Sequence, residues 1–243
     1  MQKTLEPTRL LQRLSTLLKQ ESLGTVLARS TDKLLVYLQT PWRKWQSADR
    51  YFSIFDKKRP YAIYSYNATW RNERAVEIAI AQDFLAEMKG KKILEVGNVT
   101  SYYQPIQHQV LDKYEKHPDV LNVDFIDYHA PVLFDAFISI STFEHIGWDE
   151  EPKDPHKVKA AFTHLKNLVR FPENVLITFP LGYQPVLDEM AREGSLPFQQ
   201  SACLVRKSFW VWEEAPPTEG TKYLYGSRFP GANALYIGRG LRP

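Results

Sequence analysis

Lys92-Ile93-Leu94-Glu95-Val96-Gly97-Asn98-Val99-Thr100-Ser101 is the stretch on which the fold turns. Ile93, Leu94 and Val96 make a short apolar run, closed in front by Gly90 and behind by Gly97, as expected of a strand buried in a sheet. A glycine directly after such a strand lets the backbone turn tightly and approach a ligand with no Cβ in the way. Moving outward, similar runs recur at His108–Leu111, Val120–Phe125, Phe134–Ile140 and Asn174–Phe179, and two last strands are expected around Cys203–Trp212 and Asn233–Ile237. Helices separate them. One begins at Asn67 or Thr69, carries Val76, Ile80, Phe84, Leu85 and Met88 on one face, and ends at Gly90. Another opens on Asp154 and Pro155 and buries Val158, Ala161, Phe162, Leu165, Leu168 and Val169. A short one starts near Pro185 and stops at Gly194. Strands alternating with helices predict an α/β fold, a doubly wound and mostly parallel seven-stranded sheet.

Composition sets the outer limits. The chain has 243 residues, 44% hydrophobic and 24% charged, which suits one globular domain with an extension rather than a disordered chain. The single cysteine, Cys203, has no partner for an intramolecular disulfide, and no secretory signal is visible, so a reducing, cytoplasmic setting is expected. No apolar run approaches the length of a membrane-spanning helix. The net charge of +3 is uneven: residues 1–60 hold 12 Lys/Arg against 5 Asp/Glu, and the remainder 19 against 23. Residues 1–60 therefore read as a basic helical and aromatic extension, with leucines at helical spacing from Leu10 to Leu18, a break at Gly24 and a second apolar stretch around Leu34, Leu35 and Leu38. Residues 61–243 read as the α/β domain. Such an extension suits peripheral contact with an acidic partner or membrane surface, or simply a solvated helix; nothing in it calls for nucleic acid.

Ligands of doubly wound sheets bind beyond the carboxyl ends of the strands. Those ends are polar here. Glu95-x-Gly97-Asn98 follows the first strand and Asp112 the second, placed to accept ribose hydroxyls. Asp124 follows the third, and Ser141-Thr142-Phe143-Glu144-His145 the fourth. Ser141-x-x-Glu144 also reads as a capping box. Arg74, on the helix before the first strand, could reach a carboxylate or pair with Glu77. Trp148, Trp210 and Trp212 are candidates for an acceptor pocket or for the core.

These strand-end signals together resemble class I S-adenosylmethionine-dependent methyltransferases over roughly residues 67–240. More narrowly, Asn67–Arg74, Leu94–Val99, Asp112–Glu115, Ser139–Asp149 and Tyr225–Ser227 are similar to an uncharacterised bacterial methyltransferase-like subfamily. The resemblance implies S-adenosylmethionine as cofactor. Glu95, Gly97 and Asn98 would lie beside its methionine part, Arg74 at its carboxylate, Asp112 at the ribose, Asp124 at the adenine and Ser141 on the floor. It implies methyl transfer to an oxygen, with nitrogen second, of a small molecule or sugar. His145 would be the base, with Glu144 assisting, and no metal is called for. Val99 and Ser101 stand where the wider family has further glycines. Two other readings remain: a nucleotide-dependent oxidoreductase, disfavoured by the missing Gly-x-Gly-x-x-Gly, and a non-catalytic binding or scaffolding module.

Overall fold

The computed structural model describes residues 23–243, and the side chains of residues 31–243. The chain divides into two compact units, residues 1–45 and 46–243. In the first, helix α1 (Leu23–Ser47) carries Pro41 inside it. Gly24 is the second residue of this helix, and the leucines from Leu10 to Leu18, from which a break there would part it, fall outside the described residues.

The second unit begins with a hairpin, β1 (Tyr51–Ile54) and β2 (Lys57–Pro60), turned by Phe55 and Asp56 in the left-handed region. The hairpin packs on the α/β unit: Phe52 and Tyr61 meet at 5.3 Å, and the buried Arg59 guanidinium bonds Asp83 at 2.8 Å. Sequence placed Tyr51–Phe55 in the helical extension instead. Its strand character is masked by the Lys57-Lys58-Arg59-Pro60 partner, which has no apolar alternation. Helix α2 (Arg74–Glu87) follows, and starts later than expected because Asn67 and Ala68 adopt left-handed angles in a 3₁₀ segment, Tyr66–Arg71.

The main sheet then assembles from β3 (Ile93–Val96), β4 (Gln109–Leu111), β5 (Val120–Leu121), β6 (Ala136–Ile140), β7 (Val175–Pro180), β8 (Phe198–Ser208), β9 (Val211–Ala215) and β10 (Ala234–Leu241). Their spatial order is β5-β4-β3-β6-β7-β10-β8-β9. The first five in that order are parallel, and the last three are antiparallel, with β10 inserted between β7 and β8. Helix α3 (Lys157–Lys166) bridges β6 to β7, α4 (Pro185–Glu193) bridges β7 to β8, and a four-residue turn of helix, α5 (Pro217–Gly220), follows β9. The chain has the Rossmann-like α/β fold expected of it, with one correction. The sheet has eight strands rather than seven, since the run expected at Cys203–Trp212 folds back at Phe209-Trp210 into two antiparallel strands.

The central strands are buried on both faces, which is why they read as unbroken apolar runs. Phe137, Phe143, Phe162, Val175, Ile177, Phe198 and Tyr236 belong to one core that clamps α3 and α4 to the sheet. Order β4-β3-β6 puts the strand-order reversal between β3 and β6, since β4 leaves on one side of β3 and β6 on the other. A cleft is expected beyond their carboxyl ends.

Candidate functional site

That cleft exists. A cavity of about 380 Å³ opens beyond β3, β4 and β6, within the range of small-molecule sites. Leu111, Val123, Phe125 and Ile146 form its apolar walls, and Gly97, Asn98, Asp112, Ser141, Thr142 and His145 present polar edges.

The turn after β3 is held from below. Glu95 is fully buried; Oε1 accepts the amides of Val99 (3.0 Å) and Thr100 (2.8 Å), and Oε2 accepts the Thr100 hydroxyl (2.5 Å) and meets Nε2 of His108 (2.7 Å). A buried carboxylate with this many partners is an anchor. Glu95 therefore staples the loop and does not line the cleft. Gly97 sits at φ +83°, and a Cβ there would come within 1.9 Å of the Thr142 hydroxyl oxygen. Glycine is required at 97 on both counts. Val99 has φ −113° and ψ −49°, which a branched side chain accepts, so no second glycine is needed.

Asp112 reaches the cleft from the end of β4. Its Oδ2 accepts the Asn98 amide (3.1 Å), and its Oδ1 accepts the amides of Tyr114 (2.9 Å) and Glu115 (2.8 Å). The acid is thereby oriented, and it joins the glycine turn to the following loop. Asn98 is spoken for on its own side chain: Nδ2 donates to Glu115 (2.9 Å) and Oδ1 accepts from Ser101 (2.5 Å).

Asp124 is differently placed. It caps the 3₁₀ turn Phe125–Asp127 through the Ile126 amide, and Oδ2 meets Nζ of Lys157 (2.7 Å) and Lys113 (2.9 Å). The same two lysines reach Oε2 of Glu150 at 2.7 and 2.6 Å. A closed ring of two acids and two lysines results. Burial acting alone would raise the Asp124 carboxyl, but the two ammonium groups outweigh it and hold it at about 2. Glu150 is lowered likewise, and both lysines are raised against their own burial by the acids. Sequence reading did not foresee this ring, whose Lys113 and Asp124 lie well apart in the chain from Glu150 and Lys157.

Beneath the cleft lies a second polar group. Glu77, fully buried on α2, binds Nη1 of Arg74 through Oε2 (2.5 Å), while Oε1 accepts the hydroxyls of Ser141 and Thr178, each at 2.7 Å. Ser141 takes φ +41° at the end of β6, an unusual angle for a residue with a Cβ, of the kind found at functional sites. The capping box does not form, because the Ser141 hydroxyl is given to Glu77 and Thr142 caps without a side-chain bond. Arg74 is thus tied to Glu77 and is not among the residues lining the cleft. Glu144 is also buried and off the cleft; its Oε2 has no partner, and burial pushes its carboxyl well above the ordinary range.

At the mouth, His145 is half exposed. Its Nδ1 lies 2.5 Å from Oδ2 of Asp149, which also accepts the Tyr183 hydroxyl at 2.6 Å, and Glu144 Oε1 lies 3.6 Å from Nε2. Tyr183 packs edge-on against His145 and against Tyr225, each at 5.2 Å between centroids. With Nδ1 turned to a carboxylate, that nitrogen carries the proton and Nε2 keeps its lone pair. The Asp149 carboxyl is lowered: its burial is outweighed by the bonds from Tyr183 and His145. The three tryptophans are not among the residues lining the cleft. Trp210 packs edge-on against Tyr61 and Phe209, Trp212 lies beside Arg206, and Lys153 covers Trp148. Among the described residues, no group of three or more His, Cys, Asp or Glu side chains could hold a metal ion.

The structure therefore gathers Gly97, Asn98, Asp112, Asp124, Ser141 and His145 around one cleft and leaves Glu95, Arg74 and Glu144 beneath or beside it.

No protein-family model matches the chain, and no curated protein matches it. Among solved structures, it overlaps the N-methyltransferase NodS from Bradyrhizobium japonicum WM9 in complex with S-adenosyl-L-homocysteine at 10% identity and a TM-score of 0.41, covering 70% of this chain and 87% of that one. A possible histamine N-methyltransferase from Thermotoga maritima gives 10% and 0.38, covering 67% and 87%. The glycopeptide N-methyltransferase MtfA complexed with S-adenosyl-L-methionine gives 12% and 0.35, covering 70% and 89%. Overlaps this slight carry no argument about activity, so the functional reading rests on the cleft itself.

Proposed function

We propose that this protein transfers a methyl group from S-adenosylmethionine to an oxygen, with nitrogen second, of a small-molecule or sugar acceptor. The observation that carries the reading is the oriented Asp112 carboxylate beside the Cβ-free turn at Gly97, in a cleft whose mouth holds the His145–Asp149 pair. The donor set fits an adenosine-bearing ligand at most of its points. Asp112 keeps a lone pair on Oδ2 after the Asn98 bond and could take ribose hydroxyls. Leu111, Val123, Phe125 and Ile146 offer an adenine a dry slot. At Asp124, Oδ2 is held by both lysines, and only the lone pair left on Oδ1 beside the Ile126 amide is open to the adenine amino group.

S-adenosylmethionine, when bound, supplies a methyl group on a sulfonium. The chain's own residues orient and deprotonate. Asp149 fixes the His145 ring and stabilises its protonated form, and Nε2 removes the acceptor's proton. Tyr183 and Tyr225 hold the acceptor's apolar face and exclude water. An oxygen acceptor is favoured because a hydroxyl needs such a base.

Calorimetric titration with S-adenosylhomocysteine tests the reading. Wild type should bind, and Asp112→Asn should bind about tenfold or more weakly, as expected for a lost charged hydrogen bond. Equal affinity of the two proteins defeats the cofactor placement. The capture of Asp124 by two lysines and of Glu95 by the loop favours one second reading, a methyltransferase-like binding module. It is preferred if neither S-adenosylmethionine nor S-adenosylhomocysteine gives any heat.

A further inference from the structure

Helix α1 carries a face of exposed apolar residues. Leu34, Leu35, Tyr37, Leu38, Trp42 and Trp45 are each 52–69% exposed. At 100° per residue these six span an arc of roughly 160°, on which Thr31 and Pro41 are the only others among residues 31–47. Val36, Ser47 and the partly buried Thr40 and Arg43 lie on the other side. Trp42 and Trp45 stack at 4.8 Å near the end of the helix. Lys33 and Lys44 fall together along one border of the arc. No helix among the described residues is long and apolar enough to cross a membrane.

We propose that this face of α1 docks the protein on an anionic lipid bilayer, lying in the interface with Leu34, Leu35, Leu38, Trp42 and Trp45 inserted. Three observations select a bilayer over a second copy of the helix. An apolar arc this wide exceeds the narrow seam a two-helix contact covers, and matches a surface helix half-sunk in lipid. The Tyr37 phenol at one border and the Trp42 indole near the other suit the headgroup level, where one edge is apolar and the other wet, while Trp45 stands at the centre of the arc. Residues 1–45, the unit to which α1 belongs, carry 8 Lys/Arg against 3 Asp/Glu, complementary to anionic headgroups, whereas two such segments facing each other repel. The inference is independent of the methyl-transfer reading, since none of these residues lines the cleft.

Flotation of the full-length chain with phosphatidylcholine vesicles, with and without phosphatidylserine, tests it. Wild type should float with the anionic vesicles and weaken as salt is raised. Leu38→Ser/Trp42→Ser/Trp45→Ser should lower binding more than about tenfold while keeping the wild-type unfolding midpoint, because the three side chains are exposed. Lys33→Gln/Lys44→Gln should lose the preference for phosphatidylserine and keep residual binding. Equal flotation of wild type and the triple variant overturns the proposal. So does a wild-type dimer that fails to float and that the triple variant turns into a monomer, which would assign the face to a second copy.

Discussion

Gly97→Ala is the sharpest perturbation of the strand-end turn. At φ +83° an alanine pays the left-handed penalty, roughly 1–2 kcal/mol. Its Cβ also lands 1.9 Å from Thr142 Oγ1 and 2.9 Å from Thr142 Cβ and Cγ2, so the loop after β6 must give way. Overpacking of that kind adds about 1–3 kcal/mol. Taking a middle value of about 3 kcal/mol, a chain of this size should lose roughly 6–12 °C in unfolding midpoint. Urea denaturation gives the same quantity as a shift in midpoint at constant slope. The two contributions separate in a double-mutant cycle. Thr142→Gly removes every atom in the clash, so adding it to Gly97→Ala should recover the steric part and leave the roughly 1–2 kcal/mol backbone part. Thr142→Ala should recover only part of it, since Oγ1 and Cγ2 go but the Cβ stays at 2.9 Å. A Gly97→Ala protein within about 0.5 kcal/mol of wild type, a difference normally seen for inert surface changes, would refute this account of the turn.

Other outcomes follow from the titrating groups. Asp124 is held below its ordinary value, so its contribution to stability is complete above about pH 4 and is lost as pH falls toward about 2; Asp124→Asn should flatten that acid limb in pH-dependent urea denaturation, and an unchanged limb would break the link to the two lysines. Glu144 is shifted the other way. A raised carboxyl favours folding below its unfolded value and opposes it as pH rises, so Glu144→Gln should gain stability over wild type increasingly above about pH 4.3. A constant difference across pH 4–8 would contradict that. His145→Ala should keep S-adenosylhomocysteine affinity within about twofold and cut turnover by about 10² or more; turnover retained at the wild-type level removes His145 as the base.

Much of this architecture is legible in the residues because of double burial. Ile93–Val96, Ala136–Ile140 and Val175–Pro180 face core on both sides, so their apolar character is continuous and needs no periodicity to be seen. Asp112 is legible for a related reason, as the first polar residue after a buried strand. The hairpin of β1 and β2 is not legible, because its turn residues Phe55 and Asp56 adopt left-handed angles without an Asn-Gly signature and β2 is all Lys, Arg and Pro. Nor are the pairings of the site. Glu95 reads equally well as a ligand or as a staple until Val99, Thr100 and His108 are seen to use both of its oxygens. Glu77 is legible as a partner of Arg74, and it carries a further signal. It sits between Val76 and Ile78 on a helix buried nearly all round, where a carboxylate must find partners, and it found Arg74, Ser141 and Thr178.

The seat of β10 has a bearing on how the molecule is made. Residues 234–241 slot between two strands that precede them in the chain, bonding to β7 on one flank and β8 on the other. During synthesis both flanks therefore emerge with unpaired backbone amides and carbonyls, and stay so until residue 241 clears the ribosome. The nascent protein is for that interval a sheet in two halves with sticky margins. Maturation, and vulnerability to aggregation or to chaperone capture, hinge on when β10 takes its seat.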